Sequence, residues 1–218
     1  MKMPKLTKYF IAMLAIYLSL SVTAADAITI DFTNNAWEAA DGFASYTIGD
    51  ITVEADPGSA NLWHDDKDGM GIRYNYEDDE IEKDERLKVS FASQIKLDAI
   101  NVSDLFRESR SGNWYNEIGY YSLNNGGSWI QFTAPNANLP DPATNGEFSI
   151  AIGGIDTNSI WFKAPGYVYT NGYRQDHEFA LQSLEISHSQ VPEPSTLLLL
   201  GSGLIGMAAM IGKKRLFR

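Results

Sequence analysis

Between residues 28 and 190 the chain is written in short runs where apolar and polar positions alternate. ITIDF at residues 28–32 alternates with period two, which puts its apolar side chains on one face of a strand. Residues 44–48 and 51–55 flank Gly49-Asp50, a two-residue hairpin signal. LKVSF at residues 87–91 alternates cleanly. Residues 95–102 do so as well, apart from one slip at Ala99-Ile100 that predicts a bulge. Residues 120–123 and 129–132 flank Asn124-Asn125-Gly126-Gly127-Ser128 as a second hairpin. Residues 148–152, 159–163 and 179–186 complete about ten strands, and no long amphipathic helix interrupts them. Regularly spaced short strands specify an all-β fold, and a jelly-roll-like β-sandwich is the architecture expected. The pattern leaves strand order open. Two polar segments, residues 55–71 and 74–87, read as loops, the second able to form one acidic helical turn.

Both ends depart from this pattern. Residues 195–212 are eighteen positions without a charge. As a helix they would extend about 27 Å at ~1.5 Å per residue, close to a hydrocarbon core of about 30 Å. A buried core helix would carry a polar face, and this run has none. Lys213, Lys214, Arg215 and Arg218 follow, so the positive-inside rule keeps that tail cytoplasmic. Before the run, Pro192 and Pro194 flank Glu193. Each proline fixes its φ, lacks an N–H and pushes the residue before it toward extended geometry. The strip reads equally as something an enzyme can grip or as a stop before the helix.

The order Pro192-Glu193-Pro194-Ser195-Thr196, apolar run, basic tail resembles a PEP-CTERM sorting domain over residues 191–218. The resemblance implies a motif at 192–194, a transmembrane helix at 195–212 and a basic tail at 213–218. It also implies recognition by an exosortase, a membrane-embedded Cys/His/Arg protease-like enzyme, in a Gram-negative bacterium that usually makes exopolysaccharide. The other end agrees. Lys2, Lys5 and Lys8 precede apolar residues 9–22, and Ala25-Asp26-Ala27 supplies small residues at alternate positions. This is the layout of a signal peptide, residues 1–27, for the secretion translocon and signal peptidase. The body, residues 28–190, has the length of one domain and can bury a sizeable core.

Charge and cysteine content narrow what that body can be. Setting aside the two acids and seven bases of the ends leaves 26 acids and 10 bases, a net charge of −16. Nucleic acid is excluded, because its phosphates demand Lys and Arg. Divalent cations suit such a charge. With no cysteine there is no disulfide framework, thiolate metal site or cysteine nucleophile.

Candidate chemistry is sparse. His64, His177 and His188 stand apart, without H-x-H or H-E-x-x-H spacing, and no G-x-S-x-G occurs. Acids are so abundant that no glycosidase pair stands out. Asp66-Lys67-Asp68-Gly69 fails as an EF-hand, because His64 and Asn75 would fall at its first and twelfth positions. Asp78, Asp79, Glu80, Glu82, Asp84 and Glu85 form the densest acidic run. Many jelly-roll carbohydrate-binding modules hold a structural calcium between first and last strands; by that analogy Asp31, Asp176 and Glu178 would be its ligands. Trp129 and Trp161 lie in strands and read as core, whereas Trp63 and Trp114 lie in polar loops, near Asp65, Asp66, Tyr115 and Asn116, and read as sugar-stacking rings. The expectation is an exported, exosortase-sorted surface or matrix protein whose sandwich binds or coats exopolysaccharide. A glycan-active enzyme and a purely structural biofilm matrix protein are the alternatives.

Overall fold

A computed structural model describes residues 27–74, 80–83, 85–110, 112–123, 125–139, 145–170 and 172–188, and Gly203. The expected signal peptide (apart from Ala27), the motif Pro192-Glu193-Pro194, the span, the basic tail and Asp78, Asp79 and Asp84 lie outside the described residues. Among the described residues no helix is long and apolar enough to cross a membrane. The chain divides into two compact units, Met1–His188 and Ser189–Arg218, and every described strand belongs to the first.

The strands are β1 (Ala27–Asp31), β2 (Ser45–Ile48), β3 (Ile51–Asp56), β4 (Asn61–Asp65), β5 (Gly69–Arg73), β6 (Arg86–Ser103) and β7 (Arg107–Arg110). They continue as β8 (Asn113–Asn116), β9 (Ile118–Ser122), β10 (Ile130–Thr133), β11 (Phe148–Lys163), β12 (Val168–Thr170), β13 (Tyr173–Gln175) and β14 (Ala180–His188). Ten form one antiparallel sheet in the order β10-β9-β11-β6-β14-β5-β4, with β1 also on β14, β3 also on β6 and β2 on β3. The pairs β7–β8 and β12–β13 stand apart as two-stranded hairpins.

The fold is all-β, as expected, and the sheet is curled and sandwich-like. Its curl comes from β6. One edge of β6 pairs with β11 from Leu87↔Phe162 to Val102↔Phe148. The other edge is shared, β3 taking residues 86–91 and β14 taking residues 95–103. Two branches thus leave one strand and close over one core. Val53, Leu87, Val89, Ile160, Phe162 and Phe132 meet Leu97, Ile100, Val102, Leu184, Ile186 and Met70 there. Phe162 and Phe179 are fully buried, each stabilising the domain by about 1.5–3 kcal/mol.

The bulge predicted at Ala99-Ile100 is present. Leu97 pairs with Ile186 and Ala99 with Glu185, so Asp98 is the extra residue. Inward positions therefore change parity, from Ile95 and Leu97 before it to Ile100 and Val102 after it. Both expected hairpins form, Ile48↔Ile51 closing one and Ile130↔Tyr121 the other.

Some expectations need correction. Residues 87–91 and 95–102 are parts of one strand, as are 148–152 and 159–163. Gly153 and Gly154, at φ +82° and +79°, bend β11 without ending it, because Ile152-Gly153-Gly154 bulges opposite the single residue Asp98. The polar segment 55–71 is not a loop throughout but holds β4 and the start of β5. Gly69 lets β5 approach β14 closely, since a Cβ there would run into the Leu181 carbonyl. Trp129 and Trp161 are not core but half-buried, because Trp161 alternates with the inward Ile160 and Phe162. The core tryptophan is Trp37, in a short 3-10 helix (Asn35–Ala40), with its ring centroid 4.9 Å from that of Phe32.

Gly119 tests how tightly this core is closed. It faces Phe132 across β9–β10, and the Phe132 ring, edge-on to Phe179 at 5.0 Å, fills the space a side chain would take. A Cβ on Gly119 would fall inside the Phe132 ring and 2.8 Å from a ring carbon of Phe179. Gly119→Ala should therefore lower stability by about 1–3 kcal/mol, read as a lower urea midpoint at unchanged m-value.

Candidate functional site

The two small hairpins carry two of the large exposed aromatic rings, Trp114 and Tyr169, a third being Phe43 before β2. Arg110↔Asn113 is the outermost pair of β7–β8, and Thr170↔Tyr173 that of β12–β13. Their bases meet. The His177 ring, just after β13, lies edge-on to Tyr115 of β8 at 5.9 Å. Its Nδ1 accepts the N–H of Ile118 at 3.3 Å, and the Tyr115 hydroxyl donates to Glu108 at 2.7 Å.

Alternation along β8 then sends neighbours to opposite sides. Tyr115 is 7% exposed and Trp114 is 54% exposed. Tyr169 of β12 is 69% exposed. Arg107 lies 5.1 Å from the centre of the Trp114 ring. Tyr167 is covered by Arg174 at 3.6 Å, whose Nε donates to Asp176 at 2.6 Å. Exposed rings on short hairpins offer an apolar face on which a sugar can stack.

The sequence reading placed Trp63 and Trp114 in loops, and both are in strands. They occupy separate hairpins, and among the described residues no ring contact joins them. Trp63 is half-buried, with the Arg73 guanidinium 3.3 Å from its ring centre, so one face is already taken. Tyr169 was missed, although Asn171-Gly172 between Tyr169 and Tyr173 is a strong hairpin signal.

The acids expected to bind calcium are spread out. Asp31 sits opposite Ser183, and its Oδ1 accepts the N–H and hydroxyl of Thr33 at 2.9 and 2.7 Å. Asp176 and Glu178 precede β14, and Asp176 is engaged by Arg174. Among the described residues no group of three or more His, Asp and Glu is arranged to hold a metal ion.

The roots of the hairpins hold buried carboxyls that composition alone did not reveal. Glu117, 1% exposed, accepts the Phe106 N–H at 2.6 Å. Burial drives its pKa from 4.5 to about 9, with Glu178, Glu108 and Asp104 adding like charge. Asp104 rises from 3.8 to about 8, chiefly through burial and then through Asp68, Glu80 and Glu178. Asp68 is raised by burial as well, against the lowering effect of the Asn145 amide that donates to it. His177 is lowered by burial.

Raised carboxyl pKa values fix the sign of a pH effect. Between the ordinary carboxylate range and pH 8–9 the folded state holds protons that the unfolded chain has lost. Stability therefore falls as pH rises through this window; the contribution is fully present below about pH 4 and gone above the folded pKa values. Glu117 alone can add up to about 1.4 kcal/mol per pH unit to that slope. Urea unfolding from pH 5 to 9 should show the decline. Glu117→Gln, which keeps an acceptor for Phe106 N–H but cannot ionise, should flatten it and raise stability at pH 8. A slope unchanged by this substitution would contradict the assignment.

Comparison with known proteins adds one specific match. Residues 190–215 match the PEP-CTERM protein-sorting motif. No curated protein matches the chain. Among solved structures it aligns with the "X-ray structure of GH31 CBM32-2 bound to GalNAc" at 12% identity, over 76% of this chain and 95% of that one, with a TM-score of 0.26. That score is too low to bear on fold or ligand. The sequence reading of the tail, residues 191–218, and the family match overlap over residues 191–215: an all-β body is followed by a PEP-CTERM protein-sorting motif.

Proposed function

We propose that this is an exported, exosortase-sorted surface or matrix protein of a Gram-negative bacterium whose sandwich binds exopolysaccharide through its two-hairpin end. The sorting motif supports export and exosortase recognition. In this reading residues 1–27 are a signal peptide handled by the translocon and signal peptidase, and residues 28–190 are the exported domain. Residues 191–218 are the sorting domain. The helix at 195–212 holds the chain transiently in the inner membrane, with Lys213, Lys214, Arg215 and Arg218 on the cytoplasmic side.

The observation that carries the glycan reading is the pair Trp114 and Tyr169, 54% and 69% exposed on hairpins rooted in the Tyr115–His177 contact. Large rings left in water on short hairpins cost burial that the core could have used, which favours a ligand. Trp63, with one face under Arg73, is a secondary contact. Binding and not turnover is proposed, because the buried acids Glu117 and Asp104 lie in the roots of the hairpins and not beside the exposed rings.

Affinity electrophoresis through gels containing the host's exopolysaccharide tests this. Trp114→Ala and Tyr169→Ala should each weaken retardation roughly ten-fold, the scale of a lost ring contact, with Trp63→Ala changing it less. Unretarded wild-type protein would favour the purely structural role. Retardation indifferent to Trp114 and Tyr169 would remove the hairpin end from the binding surface.

A further inference from the structure

The domain has ten basic residues against 26 acids, yet six of the ten lie over aromatic rings: Arg73, Lys83, Lys88, Arg107, Lys163 and Arg174. Lys163 is distinctive among them. Its ammonium lies 4.3 Å from the Trp129 ring centre and 5.5 Å from that of Tyr120. Among the described residues it has no carboxylate within ion-pair distance, unlike Lys88, which holds Glu54 at 2.7 Å.

The register shows what surrounds it. Lys163 pairs with Tyr120, which pairs with Gln131, so the three side chains share the outward face of β11, β9 and β10. Ser159, Trp161, Ser122, Ile118 and Thr133 complete that face by the same alternation, and none of these residues is acidic. Gln131 accepts the Tyr120 hydroxyl at 3.2 Å and donates to Thr133 at 3.3 Å. In a domain carrying −16, this face of β9, β10 and β11 holds three half-buried rings (Tyr120, Trp129 and Trp161), a row of amide and hydroxyl groups, no acid among the residues named and, in Lys163, one cation without a counter-charge among the described residues.

We propose that the outward face of β9, β10 and β11 binds a saccharide bearing a carboxylate, a uronate-type acidic glycan. The sugar ring stacks on Trp129 and Tyr120, its hydroxyls meet Gln131 and Thr133, and its carboxylate pairs with Lys163. The ammonium on the rings is already partly desolvated, which strengthens a charge-assisted contact to an anion. The inference rests on the glycan reading for the class of ligand only. It names a different face, and it separates acidic from neutral chains, which exposed rings alone do not.

The test uses the full chain in detergent, with chelator present so that no divalent cation bridges acid to acid. Calorimetry would measure oligogalacturonate, oligomannuronate and the methyl ester of the first. At least one free acid should bind, and esterification should weaken it roughly ten-fold or more, the scale of a charged hydrogen bond. Lys163→Met, which keeps the aliphatic stem, should lose the same factor, and Lys163→Arg should restore most of it. Trp129→Ala should weaken acid and ester alike. Lys96→Met, which removes a cation of β6 outside both proposed surfaces, should leave oligogalacturonate binding unchanged. Absence of binding by both acids, equal binding of acid and ester, or a Lys163→Met protein that binds like wild type would each overturn the proposal. Lys163-dependent acid binding combined with no effect of Trp114 on any glycan would leave it standing while refuting the hairpin site.

Discussion

One antiparallel ladder, the pairing of β6 with β11, supports the rest of this domain. There is no cysteine to staple the chain, and the described residues between 27 and 188 include only one short 3-10 helix. The two long strands therefore do what disulfides or helices do elsewhere. β6 pairs along one whole edge and divides the other between β3 and β14. β11 carries β9 and β10 on its far edge. Bulges at Asp98 and at Gly153-Gly154 make such length compatible with a closed core, because each lets the strand bend and re-aim its apolar side. Both proposed ligand surfaces follow from this ladder: β11 supplies Lys163 directly, the chain leaving β6 forms the β7–β8 hairpin and the chain leaving β11 forms the β12–β13 hairpin.

Charge is handled in two ways that share a cause, namely a large excess of acid. Buried acids at the hairpin roots give up their charge: Glu117 and Asp104 stay protonated well above the usual carboxylate range because burial and like-charged neighbours oppose ionisation. The few cations, in contrast, lie mainly on rings. A guanidinium or ammonium over an aromatic face retains its charge while shedding part of its water. Two of these cations, Lys88 and Arg174, also hold carboxylates, whereas Lys163 has none within ion-pair distance among the described residues, which is why the acidic-glycan proposal centres on it.

Much of this fold is legible in the sequence, and the failures have physical reasons. The alternation in residues 95–102 carries the bulge because an extra residue must reverse parity, and the reversal is visible at Ala99-Ile100. Gly49-Asp50 marks its hairpin because glycine supplies the positive φ there. Gly153-Gly154 misleads for the same reason: the pattern shows that glycine bends the chain, not whether pairing resumes beyond it. Gly69-Met70-Gly71 resembles a turn, yet β5 forms because the glycine at 69 is needed against the Leu181 carbonyl. Trp161 shares strand context with core residues, and only the register places it outward; Trp129 precedes β10 instead of lying in it. The burial of Glu117 and Asp104 is set by loops from several parts of the chain, so no local window contains it. The tail is different: its signal is contiguous, and the sequence reading and the family match overlap over residues 191–215.

The most direct test of the account is the mass of the mature protein. In a host that has an exosortase, intact-mass analysis of the form recovered from the cell surface or matrix should give a chain starting near Ile28 and lacking the basic tail 213–218. Replacing Pro192, Glu193 and Pro194 together by alanine should leave the tail attached and the protein in the inner membrane. Recovery from the matrix of wild-type protein that still ends in Arg218, or processing indifferent to the triple substitution, would contradict the account.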